Sequence, residues 1–311
     1  MELNVNDKKF MIMELNKNVT RDDRPYLRFV LSDVANKLTK AIMFDSNKLH
    51  FEPDKGNIVA IAGIIQNYNG QFQLKINKMD KLDDINYYDF LPKSVFDKES
   101  MFNELVSLLY KNISDQYMEK LVALFLEDSK AVDLFKVSPA AKSIHHAYVS
   151  GLLEHTLSVV RLAIDICKYY KELINKDILV VGSLFHDIGK IFELDISKGF
   201  DYTDSGKLLG HLILGIDLVN GYMHKIPNFP IELKNLIGHM IASHHGLLEY
   251  GSPEIPKTNE ALILHYIDDM DSKINNFKTV FERDGVSKGW SSYDRILERQ
   301  LFKHISTDEM S

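Results

Sequence analysis

The stretch DILVVGSLFHDIGKIF, residues 177–192, decides how the chain is read. From Ile178 to Phe185 nearly every residue is apolar, the pattern of a helix buried on all sides. The run then meets two ionisable residues, His186 and Asp187, and His186 lies seven positions after Leu179, on the same helical stripe. A buried carboxylate costs several kcal/mol unless it is paired or coordinated. This segment therefore predicts a core helix that delivers an imidazole and a carboxylate to an interior site.

The neighbouring segments repeat the device. FNELVSLLYKNI (102–113), QYMEKLVALFLED (116–128), GLLEHTLSVVRLAIDICKYY (151–170), GKLLGHLILGIDLVNGYM (206–223), IELKNLIGHMIASHH (231–245) and NEALILHYIDDMDSKI (259–274) all space apolar residues three and four apart. With 177–192 they predict at least seven helices. His155 follows Leu152 by three, His211 precedes Leu214 by three, His244 continues the stripe Leu233, Ile237, Met240, and Asp268 follows Leu264 by four. Each therefore occupies an apolar stripe. Several inward imidazoles and carboxylates on separate helices are satisfied together by a divalent cation. Cys167 is the single cysteine, so a disulfide framework or a thiolate zinc site is excluded, and N/O ligation suits Mn, Fe, Mg or Zn.

Upstream, the period changes. YLRFVLSDV (26–34), KLTKAIMFD (37–45) and NIVAIAGIIQNYNGQFQLKINKM (57–79) are rich in β-formers, and Asn69-Gly70 is a hairpin signal. Four or five strands within 90 residues predict a small antiparallel barrel. The fold class is α+β multidomain: a β-barrel followed by an all-α domain. The boundaries expected are 1–90 for the barrel, 91–138 for a helical connector, 139–280 for the metal-bearing domain and 281–311 for a C-terminal extension. The net charge is 37 − 44 = −7, and eleven of the 12 histidines follow residue 144. The first twenty residues carry no long apolar run, which predicts a soluble, cytoplasmic protein without a membrane partner.

The order His155, His186-Asp187, Asp268 resembles the HD superfamily of metal-dependent phosphohydrolases, with SLFHDIGK (183–190) as its signature. IHHAYVSGLLEHTLSVV (144–160), preceded by PAAK (139–142) and the strand-rich module, resembles the YhaM family of 3′→5′ exoribonucleases, built from an OB fold and an HD domain. The resemblance implies a two-metal site, manganese favoured. One ion would be held by His155, His186, Asp187 and Asp268, the other by His211, His244 and His245, with Asp187 bridging. Asp268 is taken over Asp269 because it has the inward phase. Asp187 and Lys190 are the catalytic candidates; Lys190 would neutralise phosphate oxygens or lie on the helix surface. Lys142, His145 and His146 are candidates for substrate contact, although the two histidines could equally cap the helix of His155. His239 falls off the ligand stripe, and His224, His265 and His304 receive no role.

On the barrel, Tyr26, Arg28, Tyr68 and Lys75 are the candidate RNA contacts, since OB folds stack bases on aromatics beside basic residues. Phe29 and Phe72 are expected in the barrel core. The function expected is metal-dependent 3′→5′ hydrolysis of single-stranded RNA to 5′-nucleotides, with single-stranded DNA as a second substrate and a homo-oligomer favoured. The alternative is an HD phosphohydrolase acting on a small nucleotide or cyclic dinucleotide, with a regulatory barrel.

Overall fold

The computed structural model describes residues 3–44, 46–68, 71–142 and 146–304. The chain forms two compact units, Met1–Lys93 with Asp195–Asp201, and Ser94–Leu194 with Tyr202–Ser311.

The first unit is a closed barrel of β1 (Leu3–Val19), β2 (Pro25–Ser32), β3 (Leu38–Phe44), β4 (Ile58–Tyr68) and β5 (Gln71–Leu82), in the order β1-β2-β3-β5-β4. Four seams are antiparallel and the β3–β5 seam is parallel, the topology of an OB fold. Alternation fills its interior with Phe10, Ile12, Leu27, Phe29, Leu31, Val59, Ile61, Leu74 and Ile76. Phe29 is core as expected, but Phe72 is 72% exposed. It shares the parity of Leu74 and Ile76, yet it sits on the Asn67–Phe72 rung near the tip of the β4–β5 hairpin. The β3 seam covers β5 only at Leu74 and Lys75, so nothing closes over Phe72. Strand β1 is absent from the sequence reading. It serves two partners, β4 through Leu3–Met11 and β2 through Met11–Val19, and register shifts in each ladder erase its period of two.

The second unit is helical: α1 (Lys98–Asn112), α2 (Gln116–Glu127), α3 (Ser129–Val137), α4 (Gly151–Tyr170), α5 (Lys176–Phe185), α6 (Lys190–Glu193), α7 (Asp204–Met223), α8 (Ile231–Ser243) and α9 (Asn259–Asp284). Side chains of Asp97, Asp115, Asp128, Asn175, Thr203 and Thr258 cap helix starts by accepting from backbone amides. Helix α5 is buried from Asp177 to Phe185 and packs against α1, α2, α4, α8 and α9. The expected single helix over 177–192 is instead α5, a turn at His186–Gly189, and the short α6. Helix α7 kinks at Gly210 (φ 71°, ψ 162°), one residue before His211. Among the described residues no helix is long and apolar enough to cross a membrane.

Candidate metal centre and nucleic-acid interface

Helices α4, α5, α7, α8 and α9 bring their polar side chains to one point, and Asp187 is its centre. Its Oδ2 lies 3.6 Å from His155 Nε2 and 3.4 Å from His186 Nε2. Its Oδ1 lies 3.5 Å from both His211 Nε2 and His244 Nε2. Asp268 Oδ1 completes the first group, 3.1 Å from His155 Nε2, and the His245 ring stacks edgewise on His244 at 4.3 Å. Asp269 instead pairs with Lys273 at 2.6 Å. The fork at Asp187 divides the histidines into two sets, each within reach of one ion.

Four of the imidazoles are oriented by the nitrogen they turn away from the centre. His186 Nδ1 donates to Ser183 O at 2.8 Å and His244 Nδ1 to Ile241 O at 2.9 Å, using carbonyls that end their own helices. His211 Nδ1 lies 3.1 Å from Glu193 Oε1, which also accepts the His211 backbone amide. His155 Nδ1 lies 2.8 Å from Asp271 Oδ2. With Nδ1 carrying the proton, the Nε2 atoms of His186, His211 and His244 present lone pairs inward, the form a metal ligand needs; at His155 a bound cation would have to displace the Nε2 proton that the surrounding carboxylates favour. Three buried atoms at this point have no hydrogen-bond partner: Asp187 Oδ1, His211 Nε2 and His245 Nδ1. Orphaned buried acceptors are costly, and a divalent cation satisfies all three. The donor set fits the group.

The electrostatics agree. Burial opposes ionisation of Asp187, but Lys190, His186 and His244 hold its carboxylate well below the usual range. Burial lowers His244, and lowers His245 to about 3 with help from neighbouring imidazoles. His155 would also fall on burial, but Asp268, Asp271 and Asp187 outweigh it and raise it to about 10. Lys190 is buried, not a surface lysine, and its Nζ lies 2.6 Å from Asp187 Oδ2. Asp187, Lys190, His244, His245, His265 and Asp268 border an opening of about 220 Å³.

On the barrel, the Arg28 guanidinium lies 5.6 Å from the Tyr26 ring, which tilts against Phe44 at 5.7 Å. Arg28 and Lys75 flank Ile42 on one rung across β2, β3 and β5. Tyr26, Arg28 and Lys75 therefore share the outer face. The side chain of Tyr68 lies outside the described residues, as does His145. In the helical unit, Lys142 is exposed with its Nζ 5.3 Å from the Tyr202 ring.

The HD domain family matches residues 152–273, and a family described as a putative helicase matches residues 92–178. A 3'-5' exoribonuclease YhaM from Oceanobacillus iheyensis is 32% identical over 279 residues, covering 88% of this chain and 86% of that protein. Proteins of the same name from Geobacillus sp. and Bacillus subtilis are each 30% identical, over 96% and 89% of this chain and 92% and 88% of their own lengths. The chain belongs to the YhaM family of 3'-5' exoribonucleases.

In this YhaM-family chain three residues without a role in the sequence, Asp271, His265 and Glu193, come to the centre in the fold. Asp271 accepts from Ser158 Oγ and sits between His155 Nδ1 and His146 Nε2, at 2.8 and 3.1 Å. His265 Nδ1 donates to His244 O. Both lie three residues from Asp268 on α9, so the same helical phase pointed to them. Glu193 carried no such signal, because the turn at Gly189 resets the phase. His146 is 4% exposed and commits both ring nitrogens, to Asp271 and to Tyr148 Oη at 2.8 Å. It lies behind His155, so its expected contact with substrate gives way to support of a ligand. His239 Nε2 accepts the Lys257 amide, away from the centre.

Proposed function

We propose that the chain is a divalent-metal-dependent 3′→5′ exoribonuclease that hydrolyses single-stranded RNA to 5′-nucleotides, with single-stranded DNA as a second substrate. The observation that carries this is the Asp187 fork: two carboxylate oxygens, each 3.4–3.6 Å from two histidine Nε2 atoms, with Oδ1 unpartnered. His155, His186, Asp187 and Asp268 would hold one ion, and Asp187, His211, His244 and His245 the other. Ions bound there, manganese favoured, would polarise a phosphate and make a nearby water nucleophilic at neutral pH. Lys190 adds a fixed positive charge beside the phosphate oxygens, where charge grows as the diester is attacked. Asp271 and Glu193 fix the tautomers of His155 and His211. Lys142 meets the incoming strand. The barrel, with Tyr26, Arg28 and Lys75 on its outer face and the exposed Phe72 near the tip of the β4–β5 hairpin, would stack bases and neutralise phosphates, and Tyr68 stays a candidate contact. The protein would act in the cytoplasm, as a homo-oligomer.

The test uses 5′-labelled single-stranded RNA with the full chain and Mn²⁺. A ladder that shortens from the 3′ end, abolished by chelation and by Asp187→Ala, is the expected result. Intact RNA alongside hydrolysis of a cyclic dinucleotide would replace this reading with the small-nucleotide one.

A further inference from the structure

The C-terminal extension carries a surface that neither the metal centre nor the barrel uses. Beyond α9 the chain turns at Gly285 and forms a two-stranded ribbon, Gly289–Trp290 against Phe302–Lys303, prolonged by the Asp294–Arg299 bridge. Ser291 and Leu301 face inward, each 3% exposed. Trp290 and Phe302 are cross-strand partners on the outer face, 66% and 53% exposed, and Tyr293 nearby is 59% exposed. The Trp290 and Phe302 rings lie 5.1 Å apart with planes inclined at 60°, so they do not stack face to face, and two-thirds of Trp290 stays exposed.

The extension 281–311 is close to neutral, 5 − 6 = −1, but the ribbon within it is basic. Residues 285–304 hold Lys288, Arg295, Arg299 and Lys303 against Asp294 and Glu298, 4 − 2 = +2, in a protein of net −7. Asp294 is buried and spends its carboxylate on the amides of Ile296 and Leu297 and on Arg283. The outward charge is therefore mostly positive. A second copy of the chain is a poor fit for this face. Three aromatics of roughly 150–250 Å² each, about three-fifths exposed, offer about 270–450 Å², against the ~800 Å² per partner of a stable interface. Exposed aromatics beside Lys288 and Arg295, which meet no carboxylate among the described residues, are what a single-stranded nucleic acid needs, stacking for its bases and neutralisation for its phosphates.

We propose that this ribbon is a docking site for single-stranded RNA, with Trp290 as the stacking platform and Lys288 and Arg295 on the phosphates. The inference rests on the nuclease reading of the same chain. From Asp268 to Asp284 helix α9 runs 284 − 268 = 16 residues, about 24 Å at 1.5 Å per residue. Only a strand of several nucleotides engages the metal centre and the ribbon together.

Trp290 is the only tryptophan in the sequence, so intrinsic emission reports on this site alone. The full chain, kept in EDTA to prevent hydrolysis, is titrated with an oligoadenylate long enough to span both sites and, separately, with a dinucleotide. The expected result is saturable quenching by the long strand, weakening with salt, and little response to the dinucleotide. Lys288→Glu with Arg295→Glu should raise the apparent Kd roughly tenfold and reduce the salt slope by about 2. RNA that is degraded in Mn²⁺ but leaves Trp290 emission unaltered in EDTA overturns the docking site and leaves the nuclease reading standing. Quenching without any hydrolysis in Mn²⁺ does the reverse. Emission that follows protein concentration and ignores RNA would give the face to a second copy, and the proposal would be wrong.

Discussion

Replacing Asp271 with Asn tests whether the centre depends on a residue that touches no proposed ion. The Asp271 carboxylate accepts from Ser158 Oγ and lies 2.8 Å from His155 Nδ1 and 3.1 Å from His146 Nε2. Asparagine keeps the shape, but one of its two terminal atoms is now a donor. Both imidazoles meet the same oxygen, Oδ2, so the amide oxygen can keep them while the NH2 turns to Ser158 Oγ; what the change removes is the negative charge that makes His155 a stronger ligand. Partners of this kind are worth 10–100-fold in metal affinity, or ~1.4–2.8 kcal/mol at 1.4 kcal/mol per tenfold. The assay is Mn²⁺ titration by calorimetry, with the fold checked by circular dichroism. The Kd of the tighter site should rise 10–100-fold, and turnover at saturating Mn²⁺ should recover most of its loss. A folded variant that binds Mn²⁺ as tightly as the parent would refute the argument that Asp271 holds His155 in its ligand form.

Three further outcomes are expected. A Cβ at Gly189 would meet His211 O at 2.0 Å and Gly215 N at 2.5 Å, so Gly189→Ala should push α7 away with its ligand and lower bound metal from two ions toward one, measured by elemental analysis; retention of both would count against it. Phe72→Ala should leave the urea midpoint unchanged because the ring is 72% exposed, yet raise KM for long single strands by the ~1–3 kcal/mol of one stacked base; unchanged KM would remove Phe72 from the interface. Burial opposes ionisation of Asp33, but Lys8 and the amides of Lys37 and Ala35 outweigh it and lower its pKa. A group depressed on folding stabilises above its unfolded value and loses that contribution as pH falls through the folded one. Asp33→Asn should therefore cost about 1–2 kcal/mol at pH 7, discounted because Lys8 is half exposed, and the gap should close below pH 3.8. Amide exchange of the β1–β2 ladder measures it.

What the sequence made legible was periodicity. His155, His186, His244 and Asp268 could be placed on inward stripes because their helices are regular over the turns that count, and in the fold these side chains meet. The interruptions could not be placed. The turn at Gly189 is fixed by backbone crowding against α7, and the kink at Gly210 by a left-handed backbone with open space around it, with no helical periodicity to announce either. They decide that Glu193 reaches His211. Strand β1 escaped for a similar reason, since two ladders with separate register shifts leave no alternation to count. Phe72 shows the converse: its alternation is intact, but parity says which face a residue takes and not whether a neighbouring strand extends far enough to cover it.

His186 and His244 sit at the C-caps of α5 and α8, so two helices end on the same centre. A helix C-terminus carries about half a negative charge, and Asp187, Asp268 and Asp271 add three full ones against the Lys190 ammonium and the His155 imidazolium. Before any ion is present, the field at this point attracts cations and repels phosphate. On the two-ion reading proposed above, binding would have an order: the ions would load first, and only then would a 3′ end find the site attractive. A chain meeting RNA without its ions would hold the strand elsewhere on its surface and leave the terminus uncut, so the local supply of divalent cation would be a switch on turnover and not on capture.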